Sequence, residues 1–129
     1  MSMVKTAVVG GVQYNIAQAP AIQQKKLLTL VGRYVSMAYE RGVGDIDRDF
    51  LVAILFAISE ETLDQVATIV LYKTVKNGGE SAVTVGDFQN RITEYYQLVA
   101  EGLRANLQDF FDYLARPRAE AEGKKDAAQ

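Results

Sequence analysis

Apolar side chains recur at steps of three and four residues along the last third of the sequence. Steps of this size keep side chains on one face of an α-helix, so they predict one helix of roughly seven turns at about 3.6 residues per turn. Thr84, with Asp87 three residues later, predicts a capping box at its start, and Pro117 predicts its end. The members of this stripe are Phe88, Ile92, Tyr95, Tyr96, Val99, Leu103, Leu107, Phe110, Phe111 and Leu114.

A second helical pattern precedes it, from about Pro20 to Glu40. Proline suits the first turn of a helix, where its missing N–H has no partner to lose. Gly42 and Gly44 follow the pattern and predict the end of the helix. The apolar face of this predicted helix consists of Leu27, Val31, Tyr34, Val35 and Ala38.

Two shorter helices are predicted in the middle of the chain. Residues 50–58 are apolar on every side, which is typical of a central core helix or of one face of an oligomer. Asp47 or Asp45 can cap this helix, and Ser59 can cap the next one. The inner stripe of the later helix is Leu63, Val66, Ala67 and Val70.

The N-terminal segment has the pattern of strands. Residues 12–16 alternate between apolar and polar side chains, and Gly10-Gly11 separates them from the β-rich run 5–9. Because glycine accepts the positive φ angles of a two-residue turn, the segment predicts a β-hairpin. Further along, the turn residues Asn77-Gly78-Gly79 predict a mobile loop or a small hairpin between residues 73 and 83.

The predicted fold class is therefore mainly α: a small helical domain of about four helices with a short N-terminal β-hairpin. Residues 1–117 form this single domain, since a chain of 129 residues fits one core. Residues 118–129 are rich in charged and small side chains and have no apolar anchor, so they predict a disordered charged tail.

The chain contains no histidine and no cysteine, while 49% of its residues are hydrophobic. Histidine is the usual general base, and the cysteine thiolate is a strong nucleophile and a soft metal ligand. Their absence argues against an enzyme, and we predict no catalytic residue, no bound metal and no cofactor. The apolar content instead predicts a packed core and additional apolar surface that can bind a partner.

Two acidic clusters are candidate metal sites. Asp45, Asp47 and Asp49 have the rhythm of a calcium loop, but Phe50 and Phe56 stand where that loop needs glycine and glutamate. The second cluster, Glu60, Glu61 and Asp64, is explained by the start of a helix. Both clusters are therefore interpreted as helix starts.

Charge and hydropathy narrow the possible partners and the location. The net charge of −2 argues against a general nucleic-acid binder. The longest apolar run, residues 50–58, is far shorter than the roughly 20 residues of a membrane span. The first five residues lack the layout of a signal peptide. We therefore expect a soluble, cytoplasmic protein without nucleic-acid or membrane partners.

The aromatic side chains of the C-terminal helix are the candidate partner-binding residues. Neighbouring aromatic residues on a helix point about 100° apart, so one member of each pair lies at the margin of the stripe. A wide stripe with aromatic margins fits a helix that packs in its own domain and also contacts another chain. Packing in the core alone is the alternative. The candidates are Tyr95, Tyr96, Phe110, Phe111 and Tyr113.

The order of these elements is also informative. The β-rich segment 12–16 leads into a helix with a Leu-Leu core, an apolar helix, a glycine loop and an aromatic helix containing Asn106-Leu107-Gln108-Asp109-Phe110-Phe111, and a charged tail follows. This layout over residues 12–114 resembles the tail assembly chaperones of long-tailed bacteriophages. The resemblance implies a self-associating protein of the host cytoplasm, absent from the finished tail. Its partners would be the tape measure protein, which it keeps soluble, and the tail tube protein, which replaces it.

Two other functions are alternatives to a tail assembly chaperone. A structural phage virion component, such as a connector subunit, would have a similar size. A helix-turn-helix transcription regulator could use residues 50–72, but its recognition helix would begin with Glu60 and Glu61, which have the wrong sign of charge for DNA.

Overall fold

The computed structural model describes residues 4–42 and 45–127, with side chains up to residue 115. The strands are β1 (Val4–Val9), β2 (Val12–Ala17) and β3 (Thr74–Lys76). The helices are α1 (Ala21–Glu40), α2 (Arg48–Ala57), α3 (Glu60–Val70) and α4 (Ile92–Ala127), with a 3-10 turn at Val85–Phe88. The predicted fold class, mainly α with four helices and an N-terminal hairpin, is confirmed.

The predicted hairpin is formed by β1 and β2. Gly10 and Gly11 have φ angles of 58° and 77°, which only glycine adopts without strain. They connect antiparallel strands in which Val9 pairs with Val12. Tyr14 and Ile16 face the core as the alternating pattern predicted.

The glycine-containing segment after α3 adds a third strand to this sheet. β3 pairs antiparallel with β2, and Val75 also forms a bridge with Ala82 across the turn. Of the two predicted alternatives, a loop or a small hairpin, the structure has the hairpin. No local pattern indicates that one of its arms joins the N-terminal strands, because that pairing links residues about 60 positions apart in the chain.

The predicted helix caps are present, with one change of position. Asp47 accepts a hydrogen bond from the Phe50 N–H at 2.9 Å, and Ser59 accepts one from the Thr62 N–H at 3.1 Å. The capping box of Thr84 and Asp87 also forms, but it caps the 3-10 turn. α4 begins only at Ile92, after Asn90 with a φ of 65°.

α4 is the central helix of the fold. It packs against α1, α2, α3, β1 and β2. Its middle section is buried on nearly every side, beyond the single predicted stripe, because small residues let the neighbouring elements approach closely. The buried residues of this section are Leu98, Val99, Ala100, Gly102, Leu103, Ala105, Asn106 and Leu107.

Three predictions about faces and ends were wrong. Of the two predicted alternatives for residues 50–58, the central core helix is wrong, since Phe56 is 61% exposed while Leu51 and Leu55 are buried, and one face of an oligomer stays a prediction. Tyr34 and Ile92, assigned to inner faces, are exposed. The helix α4 passes Pro117 and continues to Ala127, because proline weakens a helix by removing one N–H donor without forbidding it.

Two other predictions stay untested. Gly44, one of the two predicted helix stops, falls between the described ranges. The predicted disordered tail, residues 118–129, overlaps the end of α4, whose backbone is described to Ala127 but whose side chains are described only to residue 115, so the tail and the domain boundary at residue 117 stay predictions.

Asn106 joins α4 to the segment that connects the sheet to α1. Its side-chain oxygen accepts hydrogen bonds from the Ala19 N–H at 2.8 Å and from Gln24 Nε2 at 3.3 Å. Its amide nitrogen donates to the Gly102 carbonyl at 2.8 Å. This buried amide therefore satisfies groups on both elements, which an apolar side chain could not do.

Gly102→Ala tests the close approach of α3 to α4. A Cβ atom at Gly102 would lie 2.6 Å from the Val70 Cβ, so we expect overpacking to cost about 1–3 kcal/mol of unfolding free energy. In an exposed helix the same change would stabilise by up to about 1 kcal/mol, so the sign of the effect is diagnostic in urea melts.

Gly32→Ala is the matched control within a helix. There a Cβ would meet the end of the flexible Leu28 side chain at 2.9 Å, which can move aside. We expect a change within about 1 kcal/mol. Equal losses in the two variants would contradict the proposed contact with Val70.

Candidate partner-binding surface

The five aromatic candidates occupy two separate places on α4. Tyr95 and Tyr96 lie near its start, and the other three follow at least 14 residues later, beyond Leu107, whose φ of −122° and ψ of 20° interrupt the helical backbone. Tyr95 and Phe111 are buried in the core. Tyr96 and Phe110 are half-buried, and Tyr113 is 63% exposed. The structure therefore does not gather the candidates into one site.

Tyr95 belongs to an aromatic cluster inside the core. The Phe88 ring lies 5.7 Å from the Tyr95 ring and 6.3 Å from the Tyr14 ring, measured between centroids. Burial raises the pKa of the Tyr95 hydroxyl, and the negative charge of Asp64 and the neighbouring Tyr96 raise it further. Tyr95 thus stays neutral to higher pH than an exposed tyrosine, as its core position requires.

Tyr96 faces outward and contacts α2. Its ring centroid lies 4.7 Å from that of Phe56, a distance at which aromatic pairs attract each other. Val52 lies one turn before Phe56 on α2, and Ile92 lies one turn before Tyr96 on α4. α2 runs antiparallel to α4, because Arg48 at its start lies near Glu101 and Phe56 at its end lies near Tyr96. Val52 and Ile92 therefore extend from the Phe56–Tyr96 contact in opposite directions, and we name these four residues the α2–α4 patch.

The α2–α4 patch is apolar and largely accessible. Phe56 is 61% exposed and Ile92 is 52% exposed, while Val52 and Tyr96 are half-buried against the core. Sequence reasoning missed Phe56 and Ile92 as binding residues because both fit apolar helical patterns. The signal that could have identified Phe56 is the excess of apolar residues around α2, since a helix without a polar face cannot hide all of it in a small domain.

At the other end of α4, most of the aromatic surface packs within the chain. The Phe110 and Phe111 ring centroids are 5.8 Å apart. Phe110 also lies against α1, where a Cβ atom on Gly32 would be 3.7 Å from its Cζ. Only Tyr113 is left mostly accessible in this group.

The α1 helix presents a smaller apolar margin. Leu30, Tyr34 and Met37 follow one another at helical spacing; Leu30 is half-buried, and the other two are 44% and 46% exposed. In contrast to the α2–α4 patch, no ring contact joins this margin to another helix among the described residues.

The charged side chains near the sheet form a structural network. Glu101 is 15% exposed, and its carboxylate lies 3.0 Å from Arg104 and 4.0 Å from Arg48. Arg48 also donates a hydrogen bond to the Val8 carbonyl at 2.8 Å. The network therefore connects α2 and α4 to β1.

The acidic clusters are helix starts, as interpreted from the sequence. Asp47 uses its carboxylate as a cap, and Glu60 and Glu61 occupy the first turn of α3. Within the described residues no group of three or more acidic side chains is arranged to hold a metal ion. No helix within the same ranges is long and apolar enough to cross a membrane.

The chain matches a known protein family. A family model described as phage tail assembly chaperone protein, TAC, matches residues 10–118. This range includes the α2–α4 patch and all five aromatic candidates. No curated protein and no solved structure matches the chain.

Proposed function

The chain belongs to the phage tail assembly chaperone family, and we propose that it binds the tape measure protein and keeps it soluble while the tail is built. The match over residues 10–118 is the single observation that carries this proposal. Tail tube subunits would then replace the chaperone along the tape measure protein.

The proposed role is binding rather than catalysis. The chain has no histidine or cysteine. The Ser59 hydroxyl caps a helix and the Glu101 carboxylate forms an ion pair with Arg104, so these groups have structural roles. Its action would end with release of the partner, so we propose that it works in the host cytoplasm and does not remain in the finished virion. Mass spectrometry of purified virions tests this point: finding the chain at the copy number of a tail subunit would favour the structural alternative.

The α2–α4 patch is the proposed docking surface for amphipathic helices of the tape measure protein. Two pairs of residues at i, i+4 spacing on adjacent helices offer an apolar surface against which the apolar face of a third helix can pack. Aromatic side chains are the usual energetic centre of such contacts. Of the original candidates, Tyr96 lies in this patch, while Tyr95 and Phe111 would contact a partner only if the core opened.

Phe56→Ala tests the patch directly. We expect it to weaken binding of the tape measure protein by about thirtyfold, since removal of a central aromatic side chain typically costs about 2 kcal/mol or more. In co-expression the soluble fraction of the tape measure protein should fall accordingly. The stability of the variant itself should change by less than about 1.5 kcal/mol, since Phe56 is largely exposed and its ring packs against the half-buried Tyr96.

Two aromatic variants complete this experiment. Tyr72→Ala removes a side chain that is 72% exposed on another part of the surface, and it should leave binding unchanged. Tyr113→Ala tests the opposite end of α4. If Tyr113→Ala weakens binding and Phe56→Ala does not, the partner docks at the C-terminal end and the α2–α4 patch is not the site.

A further inference from the structure

Among the described residues, no strand pairs with the outer edge of β1. The sheet order is β1-β2-β3, so β1 has one neighbour among the described strands. Val9 and Val12 flank the two-residue turn, where the two residues form a hydrogen-bonded pair. Along an antiparallel ladder, hydrogen-bonded pairs alternate with non-hydrogen-bonded pairs. Val4, Thr6 and Val8 therefore direct their N–H and C=O groups away from β2. The bond from Arg48 to the Val8 carbonyl agrees with this direction.

The opposite edge of the sheet is closed by its own chain. The Thr74 carbonyl accepts a hydrogen bond from the Val83 N–H at 2.9 Å, and the Lys76 carbonyl accepts one from the Gly79 N–H at 2.7 Å. The turn after β3 thus satisfies its outward carbonyls. β1 is the edge left able to accept another strand.

The exposed side chains of β1 form a sequence that is symmetric about Thr6: valine, threonine, valine. Val4 is 61% exposed and Val8 is 57% exposed, with the exposed Thr6 midway between them. An antiparallel copy of this strand, centred on Thr6, would place each valine opposite a valine and threonine opposite threonine. Pairs of β-branched side chains across strands are favourable.

We propose that β1 pairs antiparallel with β1 of a second copy of this chain, about a two-fold axis at Thr6. The three outward-facing residues would each exchange two backbone hydrogen bonds with their opposite residues. The Val8 carbonyl can accept the second bond beside Arg48, because a carbonyl oxygen has two lone pairs. The two sheets would then continue through the interface as a self-complementary dimer contact. This inference does not depend on which partner the α2–α4 patch binds.

Charge favours this register over a neighbouring one. Lys5 lies on the other face of β1 by strand alternation, and it lines, together with Thr6, Glu101 and Arg104, a cavity of about 340 Å³ beside the edge of this strand. Pairing centred on Thr6 places Lys5 opposite the partner's Ala7. Pairing centred on Lys5 would set two lysines opposite each other, which is destabilising.

Single cysteine variants test both the contact and its register, because the natural chain has no cysteine. Thr6→Cys should shift from monomer to disulfide-linked dimer under mild oxidation, since opposite residues have Cα atoms about 5.5 Å apart. Val4→Cys should remain unlinked, because its two copies would be about 13 Å apart at 3.3 Å per residue. An equal mixture of Val4→Cys and Val8→Cys should form the linked heterodimer.

The outcomes distinguish the contact from random collision. Linking of Thr6→Cys without linking of Val4→Cys supports the proposal, and equal linking of both, or of neither, overturns it. Thr6→Pro removes only an outward N–H, which an edge strand tolerates. We expect sedimentation to show dimer for the natural chain and monomer for Thr6→Pro; an unchanged dimer, or a natural chain that stays monomeric up to about millimolar concentration, would also overturn it.

Discussion

Phe88→Ala is expected to lower the free energy of unfolding by about 3–5 kcal/mol. The Phe88 side chain is 1% exposed, and its ring contacts both Tyr14 of β2 and Tyr95 of α4. The Arg91 guanidinium also lies over this ring, 5.2 Å from its centroid. Truncation would therefore leave a cavity where the sheet, the 3-10 turn and α4 meet.

Urea denaturation measures this loss, with Val85→Ala as the control. Val85 lies in the same 3-10 turn but is 54% exposed, so its truncation should cost less than about 1 kcal/mol. Similar losses in the two variants would mean that the turn, and not the Phe88 ring, holds these elements together. A loss of unfolding free energy in Phe88→Ala but not in Val85→Ala would show that packing of the Phe88 ring holds the sheet, the 3-10 turn and α4 together.

Leu103→Ala is expected to destabilise the chain by about 2–5 kcal/mol. Leu103 is fully buried in the middle of α4, one turn from the buried residues Val99 and Leu107. Because α4 packs against elements on nearly all sides, the cavity cannot collapse fully. A loss of this size is a large share of a typical domain stability of about 5–15 kcal/mol.

Gln108→Ala is the matched control on the same helix. Gln108 is exposed and its amide donates a hydrogen bond to Asp112 at 3.0 Å, so we expect a change of less than about 0.5 kcal/mol. If denaturant melts give equal losses for Leu103→Ala and Gln108→Ala, α4 is not the central helix of the core.

Local chemistry was predictable from the sequence at several particular residues. Asp47 and Ser59 cap their helices because a short polar side chain can reach the free N–H groups of the first turn. Gly10 and Gly11 form the hairpin turn because only glycine accepts their φ angles readily. These effects involve atoms within about four residues, so the sequence is enough to place them.

The residues of the candidate site were predicted less well than the helix caps and the hairpin turn. The sequence pattern identified Tyr96 but grouped it with the buried Tyr95 and Phe111, and it missed Phe56 and Ile92. Helical periodicity says which side chains share a face, but it does not say how wide the buried part of that face is. That width depends on how many other elements pack against the helix.

The amino-acid sequence by itself determined the fold class, the two-residue turn of the N-terminal hairpin, the helix caps and the layout typical of a tail assembly chaperone. Each of these depends on local geometry or on the order of elements. Only the tertiary structure decided that β3 joins the N-terminal hairpin, that α4 rather than α2 is central, and that Phe56 contacts Tyr96 at the surface. The reason is that each of these depends on contacts between residues far apart in the chain. Packing, through the small residues Ala100, Gly102 and Ala105, sets which apolar side chains are buried and which remain available to a partner.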